Sequence, residues 1–308
     1  MTEKIAGFVD LQVNGLKGVD FSSEKLTRDA VVFLCEELRR NKTIAFLATI
    51  ITCPHKLLLR NIELISSAFK YEIVRKTLLG FHLEGPFISK VDGARGAHNP
   101  DYVSENRISW LNEVVKSSQG KIKIITVSAE QKGICRFIKA ARRMNIIISL
   151  GHQMADRKDI QSAVEAGANL LTHFGNGLPK LIDRFENPLW PSLAEERLKT
   201  MIIPDGHHIP SDLIKVVLRV KGINNVIAVS DASSMALMPP GDYYSMGNKI
   251  RIERSGKLFN PDTGYLVGSW ATLKECSEYL KKLNFINEDM ILKMCYYNPL
   301  KLLGIRKL

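Results

Sequence analysis

The chain has 308 residues, 45% apolar and 24% charged, an ordinary balance for a globular protein with a real core. Lysine and arginine number 43 against 32 aspartates and glutamates, and the resulting +11 favours an anionic partner: a phosphorylated small molecule, nucleic acid or an acidic surface. No window reaches the ~18 apolar residues of a membrane span, and the first residues lack the apolar core of a signal peptide, so neither insertion nor export is expected.

In chain order, short apolar runs at 6–13, 43–51, 77–83, 122–127, 146–150, 169–172, 200–203 and 225–229 predict eight strands. Between most of them apolar residues recur three and four apart, predicting helices over 26–40, 56–70, 131–144, 156–166 and 211–221. Residues 86–106 read as a long polar loop after the third strand. Residues 243–259 carry two turn signals, Gly247-Asn248 and Ser255-Gly256, and predict a small β-hairpin inserted after strand eight. A helix over 271–283 then completes the alternation, and 288–303 forms a C-terminal helical extension.

Eight strands alternating with helices predict an α/β fold with parallel pairing, a (β/α)8 TIM barrel. An open doubly wound sheet is weakened by the lack of a G-x-G-x-x-G turn after the first strand. No linker, low-complexity tract or internal repeat interrupts the pattern, so residues 1–308 are expected to form one domain. The basic pairs Arg39-Arg40, Arg142-Arg143 and Lys281-Lys282 fall toward predicted helix ends, where cations complement the helix dipole. The five cysteines lack any C-x-x-C and read as free thiols of a reducing, cytoplasmic compartment. No aromatic-basic stripe supports nucleic-acid binding.

A barrel builds its site from the C-terminal ends of its strands. The polar residues collect there: Gln12 and Asn14, His82 and Glu84, His152, His173 and Asn176, Asp205, His207 and His208, and Asp231. Of seven histidines only His55 lies outside this set once the loop residue His98 is counted. Imidazole and carboxylate together suit a divalent metal such as zinc or iron. Glu84, His152 and His173 form a ligand set of two histidines and one carboxylate. Asp231 is then free to take a proton from the attacking water and return it to the leaving group.

These residues lie in an ordered series: DLQVNG (10–15), HLEGP (82–86), GAHNP (96–100), GH (151–152), TH (172–173) with Asn176, DGHH (205–208), SDA (230–232), GSWAT (268–272) and NPLKLLG (298–304). The series resembles the N-acetylglucosamine-6-phosphate deacetylase family of the amidohydrolase superfamily. The resemblance implies deacetylation of an amino-sugar phosphate at one divalent metal, zinc first, with iron or cobalt as alternatives. It implies that Asp231 is the general acid/base and that His98 polarises the acetamide carbonyl. Asn176, Gly177 and His208 match positions that contact the sugar phosphate. Arg184 matches an arginine that reaches the phosphate in a neighbouring subunit's site, which implies a homodimer.

Three departures stand out. Gln12 and Asn14 occupy the place where many amidohydrolases carry the His-x-His of a first metal, which points to a single metal. His207 stands where family members commonly have an apolar residue, and FENPLW (185–190) replaces an expected glycine-rich stretch. Family members also carry a small β-sandwich beside the barrel, built from segments before strand one and after the last helix; here most of it is expected to be missing. An N-acetylgalactosamine 6-phosphate deacetylase and a non-catalytic phospho-sugar binder are the alternative functions.

Overall fold

The computed structural model describes residues 6–245 and 248–308. Eight strands make one parallel sheet: β1 (Phe8–Val13), β2 (Thr43–Ile51), β3 (Leu78–Glu84), β4 (Ile122–Val127), β5 (Ile147–Leu150), β6 (Leu170–Leu171), β7 (Lys199–Ile202) and β8 (Val226–Ala228). Each pairs with its neighbours in chain order. The seam between the last and first strands is drawn together just beyond β8. There Asp231 donates its N–H to the Gln12 carbonyl at 3.0 Å and Asn14 donates to the Ala232 carbonyl at 2.8 Å. The result is a nearly closed (β/α)8 barrel, the architecture read from the alternation.

Helices α1 (Arg28–Arg40), α2 (His55–Ala68), α3 (Glu72–Thr77), α4 (Ile108–Ser117), α5 (Ile134–Arg143), α6 (Arg157–Ala166), α7 (Leu189–Ala194), α8 (Ser211–Lys221) and α9 (Leu273–Lys281) fill the connections. Helix α1 starts where the Thr27 hydroxyl accepts the Ala30 N–H, and it buries Val31, Leu34, Cys35 and Leu38 against the barrel. Reciprocal capping boxes open α6 (Asp156 with Asp159) and α9 (Thr272 with Glu275). Arg39-Arg40 and Arg142-Arg143 do occupy last turns, of α1 and α5.

Inside the barrel the composition changes with height. The floor is apolar: Val9, Leu11, Leu47, Ile124 and Ile227 pack with Leu300. Leu300 belongs to the C-terminal extension, which is α10 (Glu288–Leu292), a π-turn over Lys293–Tyr297 and α11 (Asn298–Leu302). The helical extension expected over 288–303 is continuous from Glu288 to Leu302 and widens into the π-turn just ahead of Pro299, which has no N–H to offer the carbonyl four residues back. Asn298 clamps α11 beneath β8 by donating to the Ile223 and Val226 carbonyls at 2.8 and 2.7 Å. Elsewhere in the barrel the inner face carries a polar layer in which Thr126 meets Thr172 at 2.7 Å and Ser149 meets Thr172 at 2.6 Å.

The expected hairpin after strand eight is a three-stranded antiparallel sheet, β9 (Gly241–Ser245), β10 (Asn248–Ile252) and β11 (Leu258–Phe259). The third strand adds Leu258 to a small core with Ile250, Ile252, Met235 and Val267. The predicted Gly247-Asn248 turn falls partly outside the described residues, as do residues 1–5. No described helix is long and apolar enough to cross a membrane.

Candidate active site

Strand alternation turns His82 and Glu84 to the same, inner face of β3. His82 is wholly buried: its Nδ1 donates to the Leu11 carbonyl at 3.0 Å, leaving Nε2 to accept the Thr126 hydroxyl at 2.7 Å. Burial drives its pKa down to about 4, so the ring is neutral and tied into the layer of threonine hydroxyls. Glu84 ends the strand. Gly85 follows at φ +84°, and a Cβ there would lie 2.3 Å from the Thr52 hydroxyl, so only glycine lets the chain leave at this point.

Glu84, His152 and His173 converge although they are far apart in the chain. Glu84 Oε1 lies 3.2 Å from His152 Nε2 and 2.9 Å from His173 Nε2, and the two ring nitrogens are 3.1 Å apart. His152, His173 and Asp231 each follow a strand end with φ of +51°, +26° and +51°. Such left-handed backbone at a non-glycine residue costs about 1–3 kcal/mol and gathers at functional sites.

The hydrogen bonding of these rings points to a cation. His152 Nδ1 faces the Ala94 carbonyl at 2.9 Å and must donate to it. His152 Nε2 therefore faces a carboxylate oxygen and a second imidazole nitrogen. A proton on His173 Nε2 bridges to Glu84 while the site is metal-free, and its loss leaves three donor atoms converging on one point, where a cation can take their lone pairs. Four-coordinate zinc, with ligand bonds of ~2.0–2.1 Å, sets its donor atoms roughly 3.3 Å apart, close to the triangle found here. The donor set fits a divalent metal. His98 can also contribute to such a cluster, since one donor atom each of Glu84, His98 and His152 falls within 4.8 Å of the others. It is the looser member: His98 Nε2 is 4.0 Å from Glu84 Oε2, while its Nδ1 is engaged by Thr52 at 2.7 Å.

Burial raises the Glu84 carboxyl, but hydrogen bonds from His152 and His173 outweigh it and hold the group well below the usual carboxylate range. Asp231 is pushed the other way, to about 6, by burial first and then by the negative charge of Glu84. Gln12 sits between the two carboxylates and its Nε2 donates to both, to Glu84 Oε1 and Asp231 Oδ1, at 3.0 Å each. Asn14 donates to Asp231 Oδ1 at 2.7 Å. The two amides thus separate and orient a pair of carboxylates that would otherwise repel. The sequence marks them as poor metal ligands but carries no local signal of this bridging.

Glu84, His98, His152, His173 and Asp231 share a cavity of about 300 Å³ with Asn176, Gly177, Lys180 and His208. Gly177 lies at φ +63°, where a Cβ would meet His152 Nδ1 at 2.7 Å. His208 is oriented by Asp205, whose Oδ2 accepts its Nδ1–H at 2.7 Å and the Ser269 hydroxyl at 2.9 Å. Burial would raise the Asp205 carboxyl, but the charge and hydrogen bond of His208 hold it low. His207 points elsewhere and its Nε2 donates to the Ser255 carbonyl at 3.0 Å, tying the β9–β11 sheet to the end of β7. Arg184 does not line the cavity; it is exposed and packs on the Phe185 ring, 4.9 Å from its centroid. His55, the histidine expected to lie apart, opens α2 and pairs with Glu113 at 2.6 Å.

No protein-family model matches the chain. Whole-chain relatives do. N-acetylgalactosamine-6-phosphate deacetylase of Escherichia coli O157:H7 is 25% identical over 299 residues, covering 97% of this chain and 77% of that protein. N-acetylglucosamine-6-phosphate deacetylase of Lysinibacillus sphaericus is 26% identical over 297 residues, covering 96% and 74%. The crystal structure of N-acetylglucosamine-6-phosphate deacetylase from Pasteurella multocida superposes with a TM-score of 0.87 at 28% identity, covering 97% of this chain and 76% of that one.

Along nearly all of its length the chain is similar to N-acetylhexosamine-6-phosphate deacetylases.

This likeness agrees with a barrel whose strand ends gather two histidines and two carboxylates. Relatives named for both hexosamines match at nearly the same identity, so kinship alone does not separate the two sugars.

Proposed function

We propose that this protein removes the acetyl group from an N-acetylhexosamine 6-phosphate, with N-acetylglucosamine 6-phosphate as the first candidate and the galactosamine epimer as the alternative. The observation that carries this reading is the Glu84–His152–His173 triangle joined to Asp231 through Gln12. Glu84, His152 and His173 would hold one divalent ion, zinc by their chemistry with iron or cobalt possible, which when bound supplies Lewis-acid polarisation and a more acidic water.

Asp231 accepts the proton of the attacking water and delivers it to the departing amine nitrogen. A carboxyl raised to about 6 is suited to both halves of that transfer, being ionised at neutral pH yet a better base than an ordinary aspartate. His98 is held neutral, near 3, by burial and then by the neighbouring His152 charge. Its Nδ1 meets the Thr52 hydroxyl at 2.7 Å, which fixes the ring, and in the tautomer with the proton on Nε2 it stabilises the oxygen of the acetamide as it gains charge. Asn176, Gly177 and His208 receive the sugar phosphate, with Asp205 fixing the His208 ring. A homodimer with Arg184 reaching the neighbouring site accounts for an arginine that lies outside its own cavity.

The test is acetate release from N-acetylglucosamine and N-acetylgalactosamine, each with and without the 6-phosphate, using protein of known metal content. Release from one phosphorylated sugar well above the rest names the substrate. No release from any of the four by metal-loaded protein rejects the proposal.

A further inference from the structure

The cavity that holds the carboxylates contains one fixed positive side chain whose role the site description leaves open. Lys180 Nζ donates to the Thr263 carbonyl at 2.7 Å and lies 4.9 Å from the centroid of the Tyr265 ring. Between these two contacts is Gly264, where even a Cβ would approach the ammonium to 3.2 Å. The backbone of 263–265 therefore holds the ammonium of this exposed lysine at the wall of the cavity. One of its three N–H donors is used by Thr263, and the ring face of Tyr265 stabilises the charge without consuming a donor.

Charge arithmetic makes this position important. Glu84 and Asp231 bring two carboxylates into the cavity, which a divalent ion held by Glu84, His152 and His173 would offset, leaving no surplus positive charge there to receive a phosphorylated ligand. Among the described residues that line the cavity, Lys180 is the only lysine or arginine. Arg184 lies outside it, against Phe185. We infer that Lys180 is a specificity-determining residue that takes the anionic group of the substrate within its own chain, on the wall formed with Gly264 and Tyr265. That the anion is a sugar phosphate rests on the deacetylase reading above. The ammonium forms the contact with its two remaining donors, as a point charge that tolerates more than one phosphate orientation.

A purely structural role would have Lys180 staple 263–265 in place and nothing more. Lys180→Met and Lys180→Arg separate the two roles. Two measurements are made on metal-loaded protein: KM and kcat for an N-acetylhexosamine with and without its 6-phosphate, and calorimetric titration with inorganic phosphate. Lys180→Met should raise KM for the phosphorylated sugar by about ten- to a hundredfold, the loss of one charge-assisted hydrogen bond, and leave the unphosphorylated sugar unchanged. It should weaken inorganic phosphate at least severalfold, and Lys180→Arg should restore most of both. Equal loss on the two sugars would show a staple and overturn the inference. So would unchanged phosphate binding in Lys180→Met, or no phosphate binding by the unsubstituted protein. If the unsubstituted protein releases acetate from no sugar, the deacetylase reading fails by itself, and the phosphate titration alone then decides the role of Lys180.

Discussion

Replacing Asp10 with asparagine isolates the effect of one buried carboxylate on stability, independently of catalysis. Asp10 is wholly buried on β1; its Oδ1 accepts the backbone N–H groups of Gln12 and Ser230 at 3.2 Å each, and Oδ2 has no partner among the described residues. Burial pushes the carboxyl up to about 7, only partly offset by hydrogen bonds from Ser230 and Gln12. The unfolded chain titrates this group near 3.8. Because folding raises the pKa, the stability it contributes is complete below 3.8 and is lost as pH rises through about 7. A rise of about three units at ~1.36 kcal/mol each amounts to a loss of roughly 4 kcal/mol across that window. Asp10→Asn keeps the shape, removes the titration and leaves every other group shared. The unfolding free energy of the variant minus that of the parent should therefore climb by up to about 4 kcal/mol between roughly pH 4 and pH 8, then level off. Urea unfolding of both proteins at matched metal supply, repeated across that range, measures the difference. A difference that stays flat, or shrinks as pH rises, refutes the reasoning.

Asp231→Asn should retain its metal by elemental analysis while acetate release falls by about 10²–10⁴-fold; near-normal turnover removes Asp231 from the proton transfer. Arg184→Ala should raise KM for the phosphorylated sugar and spare the unphosphorylated one, whereas equal effects on both reject a phosphate contact. Phe87 stacks edge-on against Trp110 and Phe137 at 4.8 and 5.1 Å, anchoring the start of the long loop after β3. Phe87→Ala should lower the unfolding free energy by about 3–5 kcal/mol, and a loss below about 1 kcal/mol would show that the loop does not depend on this cluster.

The eight strands and most of the long helices were legible because their signals are local. Helix α8 spans the predicted 211–221 without adjustment, and β2 and β4 match their apolar runs end to end. Helix α4 was missed because Ile108, Trp110, Val114 and Val115 are weak helix formers and Arg107 provides no side-chain cap. It is helical because Trp110, Leu111 and Val114 are buried in the main core, where Trp110 packs on Phe87. Helix α7 was missed for a related reason, since Pro191 lies inside it and reads as a breaker.

The candidate site divides in the same way. Which residue types stand at the strand ends follows from the chain alone: histidines, a glutamate and an aspartate after apolar runs, in an order that resembles one family. Which atoms meet does not. Gln12 joins Glu84 to Asp231 across 72 and 219 residues of sequence, and Asp205 aims His208 into a cavity that also holds Glu84. Lys180 is an ordinary surface lysine in sequence; the backbone of 263–265 turns it into a fixed charge on the cavity wall. Hydrophobic periodicity is set by each strand's own two faces, so the sequence can carry it. The distances between strand ends are set by closure of the whole barrel, and only the folded chain determines them.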